Sequence, residues 1–180
     1  FSIDTISKSG TNRYAGEVSY QFQTDNMTAS LQSGSASRYE QDRTWLVGSI
    51  GGPILANKLF FYGSYYRPEN SRENRANRYG ELPPYQRVRN EGFGKVTYTP
   101  VSSVLLNFSY RASEREDTSA LFASNASATT GTGTEAKQRI GIAEGSWVIN
   151  SRSLLTFKYN HFVDQSVGRP DNIANVNISS

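Results

Sequence analysis

Apolar and polar residues alternate strictly along residues 15–24. Val18, Tyr20 and Phe22 fall on one side, and Glu17, Ser19, Gln21 and Gln23 on the other. A period of two over this length marks a β-strand with one apolar and one polar face. The same pattern predicts further strands at about 43–54, 58–67, 91–99, 103–112, 137–148 and 152–162, with residues 1–9 as a short leading segment and 163–180 as loop. The connections run to about 18, 3, 23, 3, 24 and 3 residues, long and short in turn.

That rhythm selects an architecture. Antiparallel neighbours in an outer-membrane barrel join by short turns at one rim and long loops at the other, whereas a Greek-key sandwich has no reason to keep it. Strands of about 9–12 residues also suit a tilted bilayer crossing. The expected fold is all-β: an antiparallel transmembrane β-barrel, present as a partial wall of about seven strands from a larger barrel. Such a piece carries unpaired edges that missing strands would cover.

Composition is compatible with this and excludes other classes. The chain has 180 residues, 36% of them hydrophobic, and a mean hydropathy of −0.58. Its longest nearly uncharged apolar run, Trp45 to Leu55, spans 11 residues with three glycines and a proline, too short for a membrane helix of about 20. A barrel keeps average hydropathy low because lumen-facing residues alternate with lipid-facing ones. With no cysteine, disulfides, thiolate catalysis and cysteine zinc sites are excluded. The net charge of +3 is spread over mixed acids and bases, unlike the concentrated basic face of a nucleic-acid binder. Beginning at Phe1 with neither Met nor a signal-peptide pattern, the chain reads as a segment of something longer.

Energetics then orient the strands. A Lys or Arg on the lipid face at the bilayer midplane costs about 2–4 kcal/mol. Glu17, Gln21, Lys95, Arg111, Glu144 and Lys158 are therefore expected to face the lumen. Val18, Tyr20, Phe22, Val96, Tyr98, Leu106, Phe108, Tyr110, Leu155, Phe157 and Tyr159 are expected to face lipid. Glu144 pointing inward carries Ile140 and Ile142 with it. Residues 45–54 and 59–66 are apolar on both sides, which leaves their orientation open. Aromatics near the expected strand ends suggest two interfacial girdles: Tyr14, Phe60, Tyr98 and Trp147 at the short-turn rim, and Phe22, Trp45, Tyr65, Tyr66, Tyr110 and Phe162 at the long-loop rim.

No catalytic constellation emerges, and no enzyme or cofactor is expected. His161, the sole histidine, shares a face with Tyr159 near a rim. Glu114, Glu116 and Asp117 are expected in a long loop, where Arg115 among them favours a solvated charge run over a cation site. The stretch 68–90, also expected to be loop, carries Arg72, Arg75, Arg78, Arg87 and Arg89. These could take an anionic ligand or lipopolysaccharide phosphates through guanidinium forks, or simply keep the loop soluble. Of the Asn-x-Ser/Thr sequons, Asn107 lies mid-strand, where no glycan is expected, and Asn26, Asn125 and Asn177 are at chance level in so polar a chain.

Two motifs carry a family resemblance. Ile6-Ser7-Lys8-Ser9-Gly10-Thr11-Asn12 followed by Tyr14-Ala15-Gly16 resembles the plug–barrel junction of TonB-dependent outer-membrane receptors, with Ser7 where Thr is more usual. Gly51-Gly52-Pro53-Ile54 followed by Asn57-Lys58-Leu59-Phe60-Phe61-Tyr62-Gly63-Ser64-Tyr65 resembles a signature of their Oar-like branch. The resemblance implies that residues 1–13 end a plug domain and 14–180 begin a barrel of about 22 strands. It also implies active uptake of a bulky ligand, powered by the TonB complex acting on the missing plug region, from a bacterial outer membrane of lipid and lipopolysaccharide. The competing readings are a passive porin-like channel, a surface adhesin barrel and a soluble all-β binding module.

Overall fold

The computed structural model describes residues 8–27, 40–122 and 127–171. They form seven strands: β1 (Ala15–Gln23), β2 (Gln41–Leu55), β3 (Leu59–Arg72), β4 (Tyr85–Tyr98), β5 (Val104–Leu121), β6 (Thr132–Asn150) and β7 (Ser153–Pro170). Each strand pairs antiparallel with the next in a single meander, β1 to β7 in order. The described residues include no α-helix, only one-turn 3-10 segments at Asp25–Met27 and Ala128–Thr130. Residues 1–7, and with them most of the leading segment, lie outside the described residues, as do the sequons at Asn125 and Asn177.

The sheet is one layer thick and has no core. Among the described residues the only buried large apolar side chain is Tyr85, at 9% exposure, while Val18 stands 81% exposed, Tyr20 63% and Tyr159 63%. A water-soluble domain buries its apolar face against a second layer. Here nothing among the described residues covers it.

Register settles the faces. Val18 stands opposite Gly48, and Tyr20 opposite Leu46. Gly48 continues to Tyr65, and Gly52 to Phe61. Phe61 then meets Val96, Val96 meets Phe108, Phe108 meets Ala143, and Ala143 meets Tyr159. Directly opposed residues share a face, so the eleven residues expected to face lipid lie together on one apolar face. Glu17, Gln21, Lys95, Arg111, Glu144 and Lys158 lie together on the other, polar face. The two strands whose orientation the pattern left open are fixed by their neighbours. Leu46, Ile50, Phe61 and Tyr65 join the apolar face; Trp45, Val47, Phe60, Tyr62 and Tyr66 join the polar one.

Several expectations are corrected. From β3 onward the strands run well past their expected long-loop ends: β3 to Arg72, β5 to Leu121, β7 to Pro170. Arg72, Arg87 and Arg89 are therefore strand residues, and only Arg75 and Arg78 of that group sit in the connection. Glu114, Glu116 and Asp117 belong to β5, not to a loop, and alternation sends Asp117 to the face opposite the other two. Of the aromatics assigned to girdles, Phe60, Trp45, Tyr66 and Phe162 fall on the polar face and cannot serve there.

Prolines mark where the ladder breaks. Pro68 lacks the N–H a ladder needs, and pairing of β3 with β4 lapses between Tyr66 and Glu69. Pro53 precedes a register shift at Leu55, next to a turn in which Asn57 takes a left-handed φ of 61°. Asn tolerates that region better than most residues.

Candidate functional site

The apolar face is uncharged over most of its height. Climbing each strand toward the long-loop rim, its first charge on this face is Asp42 on β2, Arg67 on β3, Glu114 on β5, Arg139 on β6 and Arg169 on β7, and β4 carries none there. An uncharged band of this kind is what the lipid-facing side of a transmembrane barrel wall requires.

Glycines and rings tile this face. Tyr14 lies over Gly52, where any Cβ would collide with its ring, and donates its hydroxyl to the Pro53 carbonyl at 2.8 Å. The Phe157 ring covers Gly145 in the same way. An aromatic folded over a cross-strand glycine restores the packing that glycine lacks.

Residues 6–76, which include β1 to β3, match a family model described as an outer membrane beta barrel domain. No curated protein and no solved structure matches the chain. The sheet is a barrel wall, and its place is the outer membrane. The uncharged apolar face agrees with that location.

The polar face has two built regions. Near the short turns, Gly10 packs against the Gly52 and Phe61 carbonyls so closely that no Cβ fits, and lies over Gly51. Beside it Asn12 and Asn57 are joined twice: Asn12 Nδ2 donates to Asn57 Oδ1 at 2.6 Å, and the Asn57 N–H donates to Asn12 Oδ1 at 2.7 Å. Lys8 to Arg13 thereby lie against the side that carries Glu17, Ser49 and Tyr62, enclosing a cleft of about 310 Å³ with them.

Toward the long-loop rim the same face is dense in charge. Glu91 accepts from Arg111 through Nε at 2.9 Å and Nη2 at 2.7 Å, and from Arg89 Nη1 at 3.3 Å. Arg111 also donates to Gln138 Oε1 at 3.4 Å. Asp117, with a side chain only 5% exposed, accepts from Arg87 and from the Tyr85 hydroxyl at 3.2 Å. Arg115 Nε stands 3.2 Å from Asp117 Oδ2. Arg72 and Arg87 stack on Tyr85 at 5.2 and 5.6 Å from its ring centre. Above the apolar band, burial first and the Asp117 charge second push the Tyr85 phenol up from its ordinary value. Lower down, Lys158 pairs with Glu144 at 2.7 Å, and Thr97 donates to Asn107 at 2.9 Å.

Other candidates do not converge. His161 stands opposite Gly141 on the apolar face. No three acidic or histidine side chains gather as a metal site among the described residues.

Proposed function

We propose that this chain is the plug–barrel junction and first barrel strands of a TonB-dependent transporter of the Oar-like branch. Residues 1–13 end the plug and 14–180 begin the wall. The apolar face meets outer-membrane lipid and lipopolysaccharide, and the polar face lines a lumen through which a bulky ligand is actively taken up. The observation that supports this reading is the path of Lys8 to Arg13. The chain entering β1 lies against the polar face, held by the Asn12–Asn57 pair and by Gly10, as a segment leaving a lumen-filling plug must. Mixed charges on that face suit contact with a plug better than a selective ion path.

The test uses the intact protein. It should bind the isolated periplasmic domain of TonB and stay closed to ions in planar bilayers. Steady conductance with no TonB binding would replace this reading with a passive porin, and a silent barrel that ignores TonB would favour an adhesin.

A further inference from the structure

The polar face carries more cations near the long-loop rim than its acids can answer. Arg89 and Arg115 stand directly opposite each other across β4 and β5, an arrangement that destabilises a sheet when nothing anionic intervenes. Arg111 lies on the same face, nearer the short turns. Glu91 is held by Arg111 through two nitrogens and takes only a longer bond, 3.3 Å, from Arg89. Asp117 accepts from Arg87 and Tyr85, and Arg115 Nε, buried 3.2 Å from its Oδ2, is paired with it by charge but makes no hydrogen bond. The three guanidiniums open onto a cleft of about 330 Å³, whose other walls include Ser113, Gln138 and Ser166. Asp164 also borders it, the one acid on its rim.

We propose that this cleft is a subsite for an anionic oxygen group, a carboxylate, phosphate or sulfate. Arg89 and Arg115 clamp it from opposite strands, while Ser113, Ser166 and the Gln138 amide supply neutral donors. Guanidinium forks match the paired oxygens of such groups, which a point charge does not. The inference deepens the transport reading and rests on it: if the polar face lines the lumen, the cargo carries such a group. The Arg residues that first suggested anion capture from a loop act instead from the wall. Arg89 belongs to this cleft, Arg72 and Arg87 belong to the Tyr85–Asp117 cluster, and Arg75 and Arg78 belong to neither.

The experiment titrates inorganic phosphate and sulfate into the intact protein in zwitterionic micelles at low salt. It reads the ³¹P line width of phosphate and the shift of the unfolding temperature. Saturable binding that sulfate competes away is expected, with an unfolding temperature that rises with phosphate. The Arg89→Gln/Arg115→Gln variant should bind at least about 10-fold more weakly and lose that rise, while Arg78→Gln should bind as the parent does. Arg89→Lys/Arg115→Lys keeps the charge but not the forks, and should fall between them even if the Gln variant does not fold. Non-saturable binding, or parental binding by both double variants, overturns the subsite. Competition by lipopolysaccharide vesicles but not by sulfate overturns it too, since the anion would then be met on the membrane side. The lumen assignment is judged separately by a label at Ser109→Cys, whose quenching by spin-labelled lipid chains would sink the transport reading whatever phosphate does.

Discussion

Phe108→Lys places a charge on the apolar face, which we propose meets lipid. On the apolar face of β5 the outward residues run uncharged from Val104 to Ala112 before Glu114. Those eight steps cover about 27 Å along the strand, or about 21 Å of depth at a 40° tilt, most of a barrel's ~25 Å apolar band. Phe108 is the midpoint, 48% exposed and opposite Val96 and Ala143. Lysine at that depth costs about 2–4 kcal/mol, roughly a 30- to 700-fold loss in the folding equilibrium. Ser109→Lys, one residue on, faces the other way. Its neighbour across the ladder is Lys95, so it should cost no more than about 1 kcal/mol from like charges. Urea titration of the intact protein folding into short-chain phosphatidylcholine vesicles measures both. If Ser109→Lys proves the more damaging, the assignment of faces is wrong.

The junction, the glycine–ring contacts and the charged extension give further expectations. Asp117→Asn removes the carboxylate shared by Arg87, Arg115 and Tyr85; losing charged hydrogen bonds at so buried a site should cost roughly 2 kcal/mol. Amide exchange in the upper β4–β5 pair should then quicken about 30-fold, and unchanged protection there would contradict the cluster's role. Gly145→Ala meets the Phe157 ring and should lower stability by about 1–3 kcal/mol, while Gly48→Ala meets nothing within 4 Å and should stay within about 0.5 kcal/mol. Equal urea midpoints for the two would refute the packing argument. Asn57→Gly keeps the left-handed turn and the backbone N–H bond to Asn12 but loses the bond that Asn12 Nδ2 donates to the Asn57 side chain, so protease should reach Lys8–Arg13 sooner with the urea midpoint nearly kept. Asn57→Ala should lose that side-chain bond and strain the turn as well.

Alternation made much of this wall legible and also set its limit. Where one face needs lipid and the other tolerates charge, as at Leu155 to Tyr159, period two gives strand and face together. β2 and β3 defeated it, because Trp45, Val47, Phe60 and Tyr62 make the polar face locally apolar. Only register against Val18 and Val96 tells their sides apart. The strand extensions were missed for a different reason. Above the membrane band neither face has to be apolar, so residues 85–90 and 113–121 read as polar loop although ladders and ion pairs hold them. One signal was present: Arg87, Arg89 and Glu91 keep step with Lys95, already assigned inward, and carrying the strand back along that parity would have placed them on the wall. The Asn12–Asn57 pair joins residues 45 positions apart, which no local pattern reports. The aromatic girdles were overdrawn because nearness to a strand end says nothing of face.

The central claim is that one face of this sheet meets lipid and the other an aqueous lumen. Since the chain contains no cysteine, single cysteines can be placed along β5 and β7 at Leu106, Asn107, Phe108, Ser109, Leu155, Thr156, Phe157 and Lys158, and labelled with a fluorophore in the intact protein reconstituted in bilayers. Quenching by spin-labelled lipid chains should follow a period of two, strong at 106, 108, 155 and 157, with water-soluble quenchers favouring 107, 109, 156 and 158. Uniform quenching along each strand, or the opposite phase, would contradict the account.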